Sequence, residues 1–140
     1  MTLEFFSPKE TTSEGALFFD TGISAGFPSP ADDFREQRIS LDEVLIQNKE
    51  ATFFAKVKGQ SMIGAGLDDE DLLVIDRSLE PEDNKIAVCF LDGEFTVKRL
   101  QVEKNKVWLK AENPNYPNIE ITEENNFVIW GIVTNVIKKV

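Results

Sequence analysis

A serine stands at position 61 in the stretch VKGQSMIG, just after the alternating run ATFFAKVKG, and the chain contains no histidine. Every serine or cysteine mechanism that uses imidazole as base is thereby excluded, and no metal site is expected without the commonest zinc-ligating nitrogen. A nucleophilic Ser61 needs another activator, a lysine or a carboxylate, and a neutral lysine amine is the stronger proton acceptor. Lys98, in EFTVKRL, is the candidate, because Phe95, Val97 and Leu100 around it can cover its side chain. To work near neutral pH its pKa must fall by about 3 units from roughly 10.4, which corresponds to about 4 kcal/mol of lost charge stabilisation. The competing readings are an ordinary capping serine and a solvated strand-edge lysine, and the two residues alone do not decide between them.

The elements around these residues read as mostly β. ATFFAKVKG is a strand that runs out at Gly59, and MIGAGL after Ser61 can form a short helical turn whose amides would favour developing negative charge. Loss of one such oxyanion donor typically costs about 3 to 4 kcal/mol of barrier. Lys98 lies on the return strand of a hairpin, since Asp92 and Gly93 in LDGEF suit the positive φ angles of a type I′ turn. DLLVIDR, KIAVCFL, KVWLKAE and FVIWGIVTNVIKKV add further strands, and together they predict a compact, curled, barrel-like β domain. NPNYPNIEI reads as a long turn, with no role assigned to Tyr116. Trp108 and Trp130 read as core residues, with a share of the aromatics at a dimer interface.

The first 40 residues differ, with Ser, Thr, Pro, Gly and acidic residues around the short clusters Phe5–Phe6 and Leu17–Phe18–Phe19. They read as an extended arm whose phenylalanines dock on something, since bare rings in water are costly. In AGFPSPADDF two prolines hold their preceding residues extended and Gly26 permits close backbone approach, as a protease substrate or a plain linker would. Ser40 and Glu43 form a capping-box pattern ahead of Leu41, Val44 and Leu45, which predicts a short helix. The expected divisions are an arm over 1–25, a linker and short helix over 26–50, and a β-rich domain over 51–140.

Composition sets further bounds. A net charge of −10 disfavours direct contact with nucleic-acid phosphates. No apolar stretch approaches the roughly 20 residues of a membrane span, and no secretory pattern opens the chain, so a cytoplasmic protein is expected. The single cysteine, Cys89, reads as a buried core thiol. The run Asp68, Asp69, Glu70 and Asp71 lacks the alternation of a calcium loop and reads as a solvated turn.

GFPSPADDF, GQSMIGAGLDDEDLLVID, DGEFTVKRL and the terminal WGIVTNVIKKV together resemble the UmuD branch of the LexA/UmuD self-cleaving serine peptidases, over roughly residues 22–140. Lys98 stands 37 positions after Ser61, the spacing of that family. The resemblance implies a LexA C-terminal-like β domain in which Ser61 is the nucleophile and Lys98 the general base. It further implies an oxyanion hole from the backbone amides of Gln60 and Ser61, a scissile bond between Ala25 and Gly26, and no cofactor. Ser61 is then expected to face a cleft. The stretch from Ala25 to Ser61 can span about 120 Å when extended, so cutting within or between subunits is sterically open.

The partners implied are a second copy in a homodimer, the RecA filament on single-stranded DNA that stimulates cutting in the SOS response to DNA damage, and a UmuC-type polymerase. The trimmed form would serve that polymerase in translesion synthesis, the basis of SOS mutagenesis and a branch of DNA repair. The absence of a helix-turn-helix pattern argues against a LexA-type repressor, and the absence of an anchor argues against a membrane-bound signal peptidase. A different class of function, a non-catalytic polymerase- and RecA-binding subunit with a vestigial dyad, is the alternative.

Overall fold

The computed structural model describes residues 2–9, 16–19 and 36–140. In chain order its strands are β1 (Thr2–Phe6), β2 (Ala16–Phe19), β3 (Glu36–Ile39), β4 (Thr52–Lys58), β5 (Leu72–Asp76), β6 (Ile86–Leu91), β7 (Glu94–Glu103), β8 (Lys106–Lys110), β9 (Ile119–Ile121) and β10 (Phe127–Ile137). One short helix, α1 (Leu41–Leu45), follows β3. The chain divides into two units, one of Met1–Pro8 with Asn48–Val140 and one of Lys9–Gln47. No helix among the described residues is long and apolar enough to cross a membrane.

The larger unit is a curled, antiparallel half-barrel of eight strands in the order β1-β4-β5-β10-β6-β7-β8-β9. β5 is apolar along most of its length because it lies between β4 and β10 and buries both faces, and the middle of β7 is likewise buried on both faces, with Val97 in one core cluster and Leu100 in the other. β6 and β7 are joined by the expected tight turn, with Asp92 at φ 47° and Gly93 at φ 91°. β10 pairs with both β5 and β6 and slips register between Ile129 and Gly131 and again between Val133 and Asn135. Glycine is required at 131, since a methyl group there would lie 2.6 Å from Ile75 Cγ2.

Two buried clusters line the curled sheet. Val57, Met62, Leu73, Ile75, Val88 and Val97 belong to one, and Ala87, Cys89, Leu100, Leu109 and Ile132 form the other. Trp130, itself half-buried, gathers Phe5, Phe53 and Phe95 around it at ring separations of 4.9 to 5.9 Å and packs against the first cluster, so it stands at the margin of the core rather than inside it.

Several local expectations change. The opening residues of the stretch read as an arm form β1, which pairs with β4 because Leu3 and Phe5 alternate inward onto the core. The end of NPNYPNIEI is strand β9, which pairs with β8, although its three residues follow a run of turn formers. In the Lys9–Gln47 unit β2 pairs with β3, and α1 forms where a helix was expected. Its Ser40 N-cap makes no side-chain capping bond, so the capping box is not formed; the backbone bond from Val44 N to Ser40 O closes the single turn. Ala25 and Gly26 lie outside the described residues.

Candidate active site

β4 delivers the chain to Gly59, whose φ of 117° suits a residue without a Cβ and turns the backbone out of the strand. The Gly59 amide donates to Asp69 Oδ1 at 2.9 Å. Gln60 and Ser61 follow, and then a single 3-10 turn, Ile63–Ala65, closed by Gly66 at φ 79°. Met62 is fully buried in the first core cluster and anchors this turn from inside. From outside, the 111–118 loop grips it twice: Asn113 Nδ2 donates to the Gln60 carbonyl at 2.9 Å, and the Gly64 amide donates to the Glu112 carbonyl at 2.6 Å. Glu112 is itself paired with Arg99 on β7, next to Lys98. The serine-bearing turn and the lysine-bearing strand are therefore fastened to one another through residues about fifty positions apart in sequence.

Lys98 projects from the middle of β7, opposite the small Ala87 of β6, and is only 6% exposed. Its Nζ donates to Ser61 Oγ at 3.2 Å and to Thr96 Oγ1 at 3.1 Å. Burial pushes the lysine below its ordinary pKa, against a smaller opposing influence of Cys89. A neutral amine in this position can accept the Ser61 hydroxyl proton along the same line while an N–H remains directed at Thr96. Thr96 was not singled out from the sequence, although period-two alternation puts it on the Lys98 face. Asn113 and Glu112 had no local signal at all, since the one acts by its side-chain amide and the other by its backbone carbonyl on a turn about fifty positions away.

Ser61 is 1% exposed. It is thus enclosed rather than facing an open cleft as expected, and the same enclosure that shields it also disfavours the charged form of Lys98. Cys89 is fully buried, as expected of a core thiol, and burial raises its pKa to about 12, which keeps it protonated. The acidic run is more built than a solvated turn. Asp71 is 4% exposed and accepts from the Asp68 amide at 2.8 Å and from Lys138, while Glu70 sits at φ 72° and pairs with Lys58. These bonds brace the entry and exit of the Ser61 loop. Among the described residues no group of three or more potential ligands is placed to hold a metal ion.

A curled antiparallel sheet thus carries a buried serine and a buried lysine in direct contact. The chain matches the Peptidase S24-like family over residues 18–134 and belongs to it, within the LexA/UmuD group that the sequence resembled. ImpA of Salmonella typhimurium is 40% identical over 123 residues, covering 88% of this chain and 83% of that protein. SamA of Salmonella typhimurium strain LT2 is 40% identical over 131 residues, covering 94% and 91%. The LexA repressor of Ectopseudomonas mendocina is 35% identical over 135 residues, covering 96% of this chain and 66% of the repressor.

Proposed function

We propose that the chain is a self-processing serine endopeptidase of the SOS response that cuts its own Ala25–Gly26 bond with Ser61 as nucleophile and Lys98 as general base. The observation that carries this reading is the 3.2 Å contact between Lys98 Nζ and Ser61 Oγ in a site where both residues are buried. Ser61 Oγ attacks the Ala25 carbonyl carbon as its proton passes to Lys98 Nζ, and the backbone amides of Gln60 and Ser61 receive the oxyanion. Collapse breaks the C–N bond, and Lys98 returns the proton to the departing Gly26 amine. Water, deprotonated by the same amine, then hydrolyses the ester and restores Ser61.

A substrate within the same assembly fits this reading, because a tethered segment meets Ser61 at a high effective concentration. Residues 1–25 would be the cleaved arm, 26–50 the connection and 51–140 the peptidase domain. The reading places the protein in the cytoplasm, with cutting stimulated by the RecA filament on single-stranded DNA. The trimmed homodimer would join a UmuC-type polymerase for translesion synthesis.

Purified protein incubated at alkaline pH should lose residues 1–25 by mass spectrometry, and Ser61→Ala and Lys98→Ala should stay intact. The enclosed hydroxyl also fits a second reading, a RecA- and polymerase-binding subunit with a vestigial dyad. That reading expects the wild-type chain to stay intact even with RecA filament, and polymerase capture to be equal for wild type and Ser61→Ala.

A further inference from the structure

β1 is the terminal strand of the sheet on the β4 side, and all of its residues register with β4, from Thr2 opposite Lys58 to Phe6 opposite Phe54. Leu3 and Phe5 face inward opposite Val57 and Ala55 and pack on the first core cluster. The Phe5 ring stands 4.9 Å from both Phe95 and Trp130, so it fills an aromatic slot that other strands build. Between the two apolar residues Glu4 faces outward opposite Lys56, and its charge also acts on Lys58. The edge of β4 is therefore covered by an extended, antiparallel segment with a pattern of apolar, acidic and aromatic residues. Main-chain pairing supplies its affinity, and alternate side chains supply its selectivity.

We propose that this edge, with the slot formed by Phe95 and Trp130, is a strand-acceptor site for an extended apolar–acidic–aromatic segment of a partner protein, and that Leu3–Glu4–Phe5 is its resident occupant. The proposal rests on the self-cleavage reading only for the event that opens the site. The Ala25–Gly26 bond lies between β2 and β3, so residues 1–25 carry two strands, β1 and β2, each paired with residues beyond the cut. Cutting does not by itself expel the fragment. It removes the covalent tether, so that β1 is held only by its own pairing and by that of β2 with β3, and is more readily exchanged. A partner segment with the same pattern then takes the place of β1.

The test uses the full chain in a Ser61→Ala background with a recognition site for a sequence-specific protease inserted between Ala25 and Gly26, so that opening does not depend on the dyad. The probe is a fluorescent peptide of residues 1–9, followed by anisotropy and by native mass spectrometry of the retained fragment. The cut chain should capture the peptide and release its own N-terminal fragment, while the uncut chain captures it at least about tenfold more weakly. A Phe5→Ala peptide should bind about tenfold more weakly or worse, and a Glu4→Lys peptide several-fold more weakly. Equal capture by cut and uncut chains, or equal binding of the Phe5→Ala peptide, overturns the proposal.

An uncut chain carrying Phe5→Ala gives an independent route, because its weakened β1 should yield to the wild-type peptide without any cleavage; failure to capture there also overturns it. Light scattering on the same samples separates peptide capture from mutual insertion of residues 2–6 between two copies, and the latter without capture overturns the assignment to a partner. Self-cleavage by the dyad is read in neither route, so failure of that reading leaves these results distinguishable.

Discussion

Gly64→Ala tests whether the grip on the serine turn sets the geometry of the dyad. A methyl at this position would run into the Glu112 carbonyl oxygen and lie 3.2 Å from its carbon, and that same oxygen accepts the Gly64 amide at 2.6 Å. Neither side can yield by rotating a side chain, because the contact is backbone against backbone. The 3-10 turn must move away by roughly an ångström, and a displacement of that size near reacting groups costs about a hundredfold in rate. Overpacking adds about 1–3 kcal/mol of destabilisation. Met62 resists the movement from within the core, so the shift should pass to Ser61, three positions before the substituted residue. The assay is a self-cleavage time course at alkaline pH read beside the thermal unfolding midpoint. Cleavage should slow far more than the modest loss of stability explains, whereas unchanged rate and midpoint would refute the claim that this close approach positions the nucleophile.

Lys98→Met should abolish cleavage yet raise stability near neutral pH, since it removes a buried amine that burial holds below its ordinary pKa. The unfolded chain binds that proton more readily, so wild-type stability should rise with pH between the folded and the ordinary lysine value, by about 1.4 kcal/mol per unit of difference. Denaturant titrations across pH should show this rise in wild type and not in Lys98→Met. Asp76 is buried, which by itself would raise its pKa, yet Asn48 Nδ2 at 3.0 Å and the Ser78 hydroxyl and amide hold the carboxyl below 3.8. Its stabilising contribution is therefore present above 3.8 and lost as pH falls through the lower folded value. Asn48→Ala should cost about 1–3 kcal/mol at neutral pH and move the acid unfolding limb to higher pH in a circular-dichroism titration. Gly131→Ala should lower the thermal midpoint through a cost of about 1–3 kcal/mol, because its methyl meets Ile75, which is fully buried.

Much of the sheet was legible because its strands advertise themselves locally. Alternation marks β4, an apolar run marks the doubly covered β5, and Asp92–Gly93 names the β6–β7 turn and with it the return strand β7. β1 and β9 were not legible for a physical reason: they are short, border turn-rich stretches, and exist by pairing with β4 and β8. At the site, the lack of histidine pointed to lysine, and the apolar neighbours Phe95, Val97 and Leu100 made Lys98 the coverable one. The contact between Ser61 and Lys98 could not be read from spacing alone, since it depends on Gly59, Met62, Asn113 and Glu112 acting on one turn from several directions. Enclosure of Ser61 is likewise a tertiary property that no local pattern encodes.

The central claim, that an uncharged Lys98 takes the Ser61 proton to cut the chain, is met most directly by the mass spectrum of the purified protein after incubation across a pH series. Fragments ending at Ala25 and beginning at Gly26 should accumulate faster as pH rises, and Ser61→Ala and Lys98→Ala should yield neither. Wild type that stays whole at every pH even with RecA filament, or the same fragments from either variant, would contradict it.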